Sequence, residues 1–341
     1  MKSQFPTDRY FRQCVGIDVS KDKFTACLCM LSWGCPAQFT DSINFANNKT
    51  GFNQLVKWAR KESEKTHPIL FLMEPTGSYY EDLAYHLHKL SFTVYVVPSG
   101  RVHAFFKGEG IKTKTDAVDA HGLALMGCCK PHMKTWSAPD PAYRELRQLT
   151  RLSVQFKDIR TILINQKEAL SHQYNPSTLA VKQLNALIKS VNLRIDKNQL
   201  LIEELVGKSS EIKEKVDYLQ SIKGLGFLTS VTILAETNGF RNITNRKQLA
   251  SFAGLDVVAK DSGNSTPARH ISKTGNTHLR RILYLCSLSA ASYNPQMRAL
   301  YFRISLCKPS RVARVAVMRK LLLLAYTLCK KKEYYDPEKI K

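Results

Sequence analysis

Residues 68–73, Pro-Ile-Leu-Phe-Leu-Met, hold no polar side chain. A strand with one wet face alternates polar and apolar residues, whereas a short, uniformly apolar run fits a strand buried on both faces. Such a strand needs a sheet with helices packed on either side. The flanking stretches 51–63 and 79–90 have the spacing of amphipathic helices, and 92–97 is another apolar run. Residues 14–20 and 24–31 read as two further strands, 35–47 as a third after a turn, and 115–129 as a helix. The first part of the chain is therefore expected to be α/β, with its sheet covered on both faces.

After residue 140 the pattern changes. Leu146, Leu149, Ser153, Phe156, Leu163 and Leu170 follow three-, four- or seven-residue spacing, as do Leu184, Leu187, Val191, Asn198, Ile202 and Leu205. Between the two sets, Asn175-Pro176-Ser177 supplies a turn and an N-cap. Two long helices around a tight turn make an antiparallel coiled-coil hairpin. The expected organisation is thus α/β plus α: a catalytic domain over 1–140, a helical arm over 141–217, a mostly helical domain over 218–332 and a tail over 333–341.

Charge narrows the partner. The formal net charge is +23, and residues 218–341 contribute 21 Lys and Arg against 6 Asp and Glu. A charge needed only for solubility would be spread out; this one is concentrated, as on a surface that binds phosphates. A membrane partner fits poorly, because the longest apolar run, 315–329, is 15 residues long and broken by Arg319 and Lys320, short of the ~20 a span requires. The first 14 residues hold no apolar signal core. Nine cysteines without a C-x-x-C pair or zinc spacing fit reduced, mostly buried thiols. A cytoplasmic protein is expected.

Four acids stand where acids are costly. Asp18 follows the apolar Val15-Gly16-Ile17, Glu74 ends the run 68–73, and Asp116 and Asp119 share one face of a helix. Converging carboxylates make a hard oxygen site suited to Mg²⁺, or to Mn²⁺. Asp18, Asp116 and Asp119 each have an ordinary reading as a cap, a turn residue or a solvated helix position, whereas Glu74 after its apolar strand is harder to dismiss; together, in one α/β domain, the four point to metal-assisted phosphoryl transfer. Lys112 and Lys114 precede Asp116 as candidate phosphate contacts or solvated loop lysines.

In the basic third, residues 219–232 read helix, hairpin, helix. Lys223, Gly224 and Gly226 form a turn whose N–H groups can face a phosphate, although a Gly-capped helix connection has the same sequence. Residues 254–276 are rich in Gly, Ser, Lys and Arg. Three serines there, Ser262, Ser265 and Ser272, lie among Lys260, Arg269, Lys273, Arg280 and Arg281. Basic side chains can hold a phosphodiester while a hydroxyl attacks it; a turn or cap hydroxyl is the plain reading of each serine.

The motifs GIDVSKDKF (16–24), MEPTGSYYEDLAYHL (73–87) and KTDAVDAHGLA (114–124) resemble the N-terminal domain of Piv/MooV-type DEDD transposases, insertion-sequence family one-hundred-and-ten. ISKTGNTHLRR (271–281) is similar to that family's C-terminal domain. The resemblance implies a RuvC-like, RNase H-type fold with Asp18, Glu74, Asp116 and Asp119 as metal ligands. It also implies a serine nucleophile, best matched by Ser262 with Ser265 and Ser272 behind it. A dimer pairing into a tetramer, a structured guide RNA from the element and a prokaryotic, nucleoid-associated setting come with it. Two other readings use the same residues. In one, a metal-dependent endonuclease or junction resolvase hydrolyses DNA without a covalent intermediate. In the other, the protein binds nucleic acid and is catalytically silent.

Overall fold

The computed structural model describes residues 11–32, 34–130, 133–258 and 270–338. The chain divides into two units, 1–138 and 139–341. The first contains β1 (Arg12–Val19), β2 (Lys23–Leu31), β3 (Gln38–Phe39), β4 (Ile43–Ala46), α1 (Lys49–Glu62), β5 (Ile69–Met73), α2 (Glu81–Lys89), β6 (Thr93–Val96), α3 (Ser99–Gly108) and α4 (Asp116–Cys129). The sheet order is β3-β2-β1-β5-β6, with β4 also paired to β2. β1 and β2 form an antiparallel hairpin, and β5 and β6 then add in parallel to β1. The parallel pairings need crossovers, which α1 and α2 supply.

Both faces of the sheet are covered, as the uniform apolarity of β5 requires. Val15, Ile17, Phe71 and Met73 pack with Leu55, Ala59, Leu83 and Leu87 of α1 and α2. The alternate residues Cys14 and Leu72 pack with Val102, Leu123 and Ala124 of α3 and α4. The third strand expected over 35–47 is two short strands, β3 and β4, separated by polar Thr40, Asp41 and Ser42. The sequence marks no element over 99–108, where α3 lies. That helix buries only Val102 and Phe105 and contains two glycines, so its period is faint.

The second unit contains α5 (Pro141–Ser171), α6 (Thr178–Gly207), α7 (Ser210–Gln220), α8 (Phe227–Glu236), α9 (Arg246–Phe252), β7 (Val257–Val258), β8 (His270–Ile271), α10 (Thr277–Tyr293), α11 (Pro295–Ser305) and α12 (Ser310–Lys331). α5 starts at Pro141 behind its cap Asp140, and Ser177 caps α6. The two helices form the expected hairpin, and its base belongs to the core of this unit. Tyr143, Leu146, Thr150 and Ser153 of α5 are buried, as are Asn198, Ile202 and Val206 of α6. Asn198 Nδ2 donates to Ser153 Oγ at 2.7 Å and to the Leu149 carbonyl at 3.0 Å, filling the polar step in the seam. Farther out, Ile162, Leu179 and Leu193 are more than half exposed. Two helices alone cannot dry both sides of a seam, so the outer arm keeps apolar side chains in water. Among the described residues no helix is long and apolar enough to cross a membrane.

Candidate active site

β1 and β5 run parallel, with Ile17 opposite Met73. Asp18 and Glu74 each follow by one residue, so they stand at the same level at the C-terminal ends of neighbouring strands. By the two-residue period both continue the face occupied by Gly16 and Leu72, the face that α4 covers. α4 lies along β1 in close contact. A Cβ on Gly16 would fall 2.1 Å from Ala124 N and 2.2 Å from the Ala120 carbonyl oxygen. Farther along the helix, a Cβ on Gly127 would fall 2.1 Å from Cys14 Sγ. With Gly127 over Cys14 and Ala120 over Gly16, the N-terminal end of α4 points toward Asp18. Thr115 caps that end by accepting from Val118 N, which fixes Asp116 and Asp119 in the first turn.

Asp18 and Asp119 feel the acids around them. Burial, then the charges of Asp119, Asp116 and Glu74, push Asp18 up to about 6, with Lys114 opposing. Asp119 is also raised, first by burial and then by Glu74 and Asp116, against Lys114 and His103. Asp116 is exposed and its Oδ2 lies 3.2 Å from Lys23 Nζ. Among the described residues no three His, Cys, Asp or Glu side chains are already gathered closely enough to hold an ion. The donor set nonetheless suits one: four hard carboxylates that repel each other, on a rigid strand pair and a capped helix, are relieved by a divalent cation. Lys112 and Lys114 are exposed in the segment just before α4.

In the second unit, a short turn joins α7 to α8. Gly224 takes a φ of 107°, and its Cα rests on α10, where a Cβ would meet Ala290 Cβ at 2.6 Å. Lys223 and Gly226 are exposed, and Gly226 leaves α8 without a side-chain cap. Ser262, Ser265, Lys260 and Arg269 lie outside the described residues. Ser272 lies inside them, and its hydroxyl donates to Asp256 Oδ1 while its N–H donates to the Asp256 carbonyl at 2.9 Å. It clasps β7 to β8. Lys273 is exposed at a φ of 56°. Arg280 donates to the Ala253 carbonyl at 3.0 Å, and Arg281 pairs with Asp158 of α5. These two arginines thus have protein partners.

One charged group escapes the sequence reading. Glu236 is buried at the end of α8 and takes a two-pronged contact from Arg151 of α5, at 2.7 and 2.9 Å. Asn276 Nδ2 donates to it at 2.7 Å, while Asn276 Oδ1 caps α10. Burial pushes Glu236 up, but Arg151 and Asn276 outweigh it and hold the carboxyl below its ordinary value. A signal for it is present in the sequence: the short apolar run Ile233-Leu234-Ala235 is followed by an acid, as β5 is followed by Glu74.

Residues 15–176 match a transposase family of the DEDD, IS110 type, and residues 216–302 match the transposase IS116/IS110/IS902 family. The chain is 27% identical over 338 residues to the pilin gene-inverting protein of Moraxella bovis, covering 94% of this chain and 97% of that protein. It is 25% identical over 193 residues to the transposase for insertion sequence element IS1111A of Coxiella burnetii, covering 50% and 53%.

Proposed function

This chain belongs to the IS110 family of transposases and is an enzyme acting on DNA, and we propose that it cuts and rejoins DNA strands with a carboxylate-held metal and a serine nucleophile. The observation that carries this reading is that Asp18 and Glu74 follow the ends of neighbouring parallel strands on the face that α4 covers, while the capped first turn of α4 carries Asp116 and Asp119. The sheet order, an antiparallel hairpin flanked by parallel strands, supports a RuvC-like, RNase H-type domain.

Asp18, Glu74, Asp116 and Asp119 would hold Mg²⁺, or Mn²⁺. When bound, the ion would supply Lewis-acid stabilisation to a phosphate oxygen. Asp18 and Glu74 contribute fixed ligand positions, because each ends a strand inside a covered sheet. Lys112 and Lys114 attract the phosphodiester, and Lys114 tempers the repulsion among the acids. The Ser262 hydroxyl attacks phosphorus; a Ser O–P bond forms as a sugar O–P bond breaks, the hydroxyl proton passes to water, and the departing sugar oxygen takes a proton from water to leave as a hydroxyl. One phosphoester replaces another, so the link can be reversed for rejoining without an energy source. Ser265 is the next candidate. Ser272 ranks below both because its hydroxyl is engaged with Asp256.

The outer apolar side chains of the α5–α6 arm support a dimerising role, and a dimer pairing into a tetramer would bring together the several cuts that exchange needs. The basic second unit supports contact with DNA and with a structured RNA of the element. Cleavage of element-end DNA by Asp18→Asn and Glu74→Gln tests the proposal. Loss of cleavage with DNA binding kept supports it, and cleavage near the wild-type rate contradicts the metal-site assignment.

A further inference from the structure

Between Ser262 and Lys332 the chain carries 14 Lys and Arg and no Asp or Glu. In the described part of that stretch, α10, α11 and α12 pack against one another, with Leu283, Met297 and Val317 turned into the core. Aromatic and cationic side chains of the three helices meet as well. The Arg314 guanidinium of α12 lies 5.9 Å from the Tyr284 ring of α10 and 6.0 Å from the Tyr301 ring of α11. Tyr301 in turn meets Phe302 edge-on at 5.9 Å. Tyr284 is 46% and Phe302 60% exposed; Arg303 follows Phe302 in α11 and Arg311 lies three residues before Arg314 in α12, and both are exposed.

Two properties choose the occupant. A second copy of this face would set cations against cations with no acid from this stretch to separate them, whereas a polyanion is complementary. Duplex DNA would use the cations but leave the rings idle, because its bases are stacked inside. Unpaired bases offer π faces, and a groove that combines exposed rings with arginines is the common solution for single strands.

We propose that the α10–α12 face binds a single-stranded stretch of nucleic acid, with bases stacked on Tyr284 and Phe302 and phosphates held by Arg303 and Arg311. The inference rests on the reading of the chain as an enzyme acting on DNA, but not on the carboxylate site. The strand is either DNA displaced from a duplex or an exposed segment of RNA; the chemistry recognised is the same.

The test is fluorescence anisotropy with the full chain carrying Asp18→Asn, so that cleavage does not consume the probe. The probes are a labelled DNA single strand, RNA of the same sequence, and the DNA duplex. Tyr284→Ala and Phe302→Ala should each weaken single-strand binding about ten-fold and leave the duplex nearly unchanged, while Tyr284→Phe retains binding. Arg311→Glu should flatten the salt dependence by about 0.7 in the log–log slope for each single-strand phosphate it no longer neutralises. Tighter binding of RNA or of DNA identifies the source, and either supports the surface. The proposal is overturned if the correctly folded Tyr284→Ala protein binds single strands as the parent does. It is overturned equally if the variants change the sedimentation of the protein and not its nucleic-acid affinity, which would give the face to a second copy. A failure of the cleavage proposal leaves all of these readings unaffected.

Discussion

Gly16 of β1 lies against Ala124 of α4 so closely that a Cβ at residue 16 would fall 2.1 Å from the Ala124 nitrogen. This approach sets the height of α4 over the sheet, and with it the position of Asp116 and Asp119 relative to Asp18. Gly16→Ala should cost about 1–3 kcal/mol or more, as overpacking does, and should weaken divalent-cation binding through displacement of α4. Gly100→Ala, at a helical glycine with nothing within 4 Å, should be neutral or stabilising by up to about 1 kcal/mol. Urea unfolding of the two variants checks the contrast, and equal effects would remove Gly16 from its role.

Burial of Asp18, and after it the charges of the neighbouring acids, makes stability depend on pH and on cation. Asp18 binds its proton more tightly in the folded state, at about 6, than in the unfolded chain. Its contribution is therefore fully present at low pH and is lost as pH rises through about 6; because Asp18 is only partly buried, solvent screening holds the loss to about 1–2 kcal/mol. At pH 7 without metal, Asp18→Asn should melt higher than wild type, and the gap should close on acidification. Mg²⁺ should raise the melting temperature of wild type and not of Asp18→Asn. A wild-type melt insensitive to Mg²⁺ and Mn²⁺ would count against the carboxylate cluster as a cation site. Cleavage, which needs the ionised acid, should decline on acidification, at a lower pH the more Mg²⁺ is present, because cation and proton compete for the same carboxylate.

Glu236 predicts the opposite dependence. Its carboxyl is held below its ordinary value by Arg151 and Asn276, so its contribution is present at neutral pH and lost as pH falls through the lowered value. Removing either partner strands a charge. Breaking a buried pair costs about 3–5 kcal/mol, and the lower end applies because the Arg151 side chain is 42% exposed. Glu236→Ala and Arg151→Ala should therefore each destabilise by about 3 kcal/mol, with the double variant far short of the sum. A double-mutant cycle by urea unfolding measures this, and full additivity would show the two residues to be uncoupled.

Strands β1, β2, β5 and β6 are legible in the sequence because each is a run of apolar residues bounded by polar turns, and burial on both faces leaves no other solution. Asp18 and Glu74 are legible for the same reason: an acid ending such a run is conspicuous. α3 is not, since two buried side chains and two glycines make no clear period. The partners of Arg280 and Arg281 are set by tertiary packing against Ala253 and Asp158, which no spacing reveals. Arg314 likewise becomes informative only when Tyr284 and Tyr301 arrive from two other helices.

The most direct test of the mechanism is a trap for a covalent protein–DNA adduct. Purified protein, Mg²⁺, element-end DNA and the flanking noncoding RNA would be mixed, denatured and resolved on a gel. The account predicts an adduct from wild type and from Ser272→Ala, and none from Ser262→Ala or Asp18→Asn. Cleaved DNA without any adduct would contradict the serine mechanism and leave the carboxylates as the site of a hydrolytic nuclease.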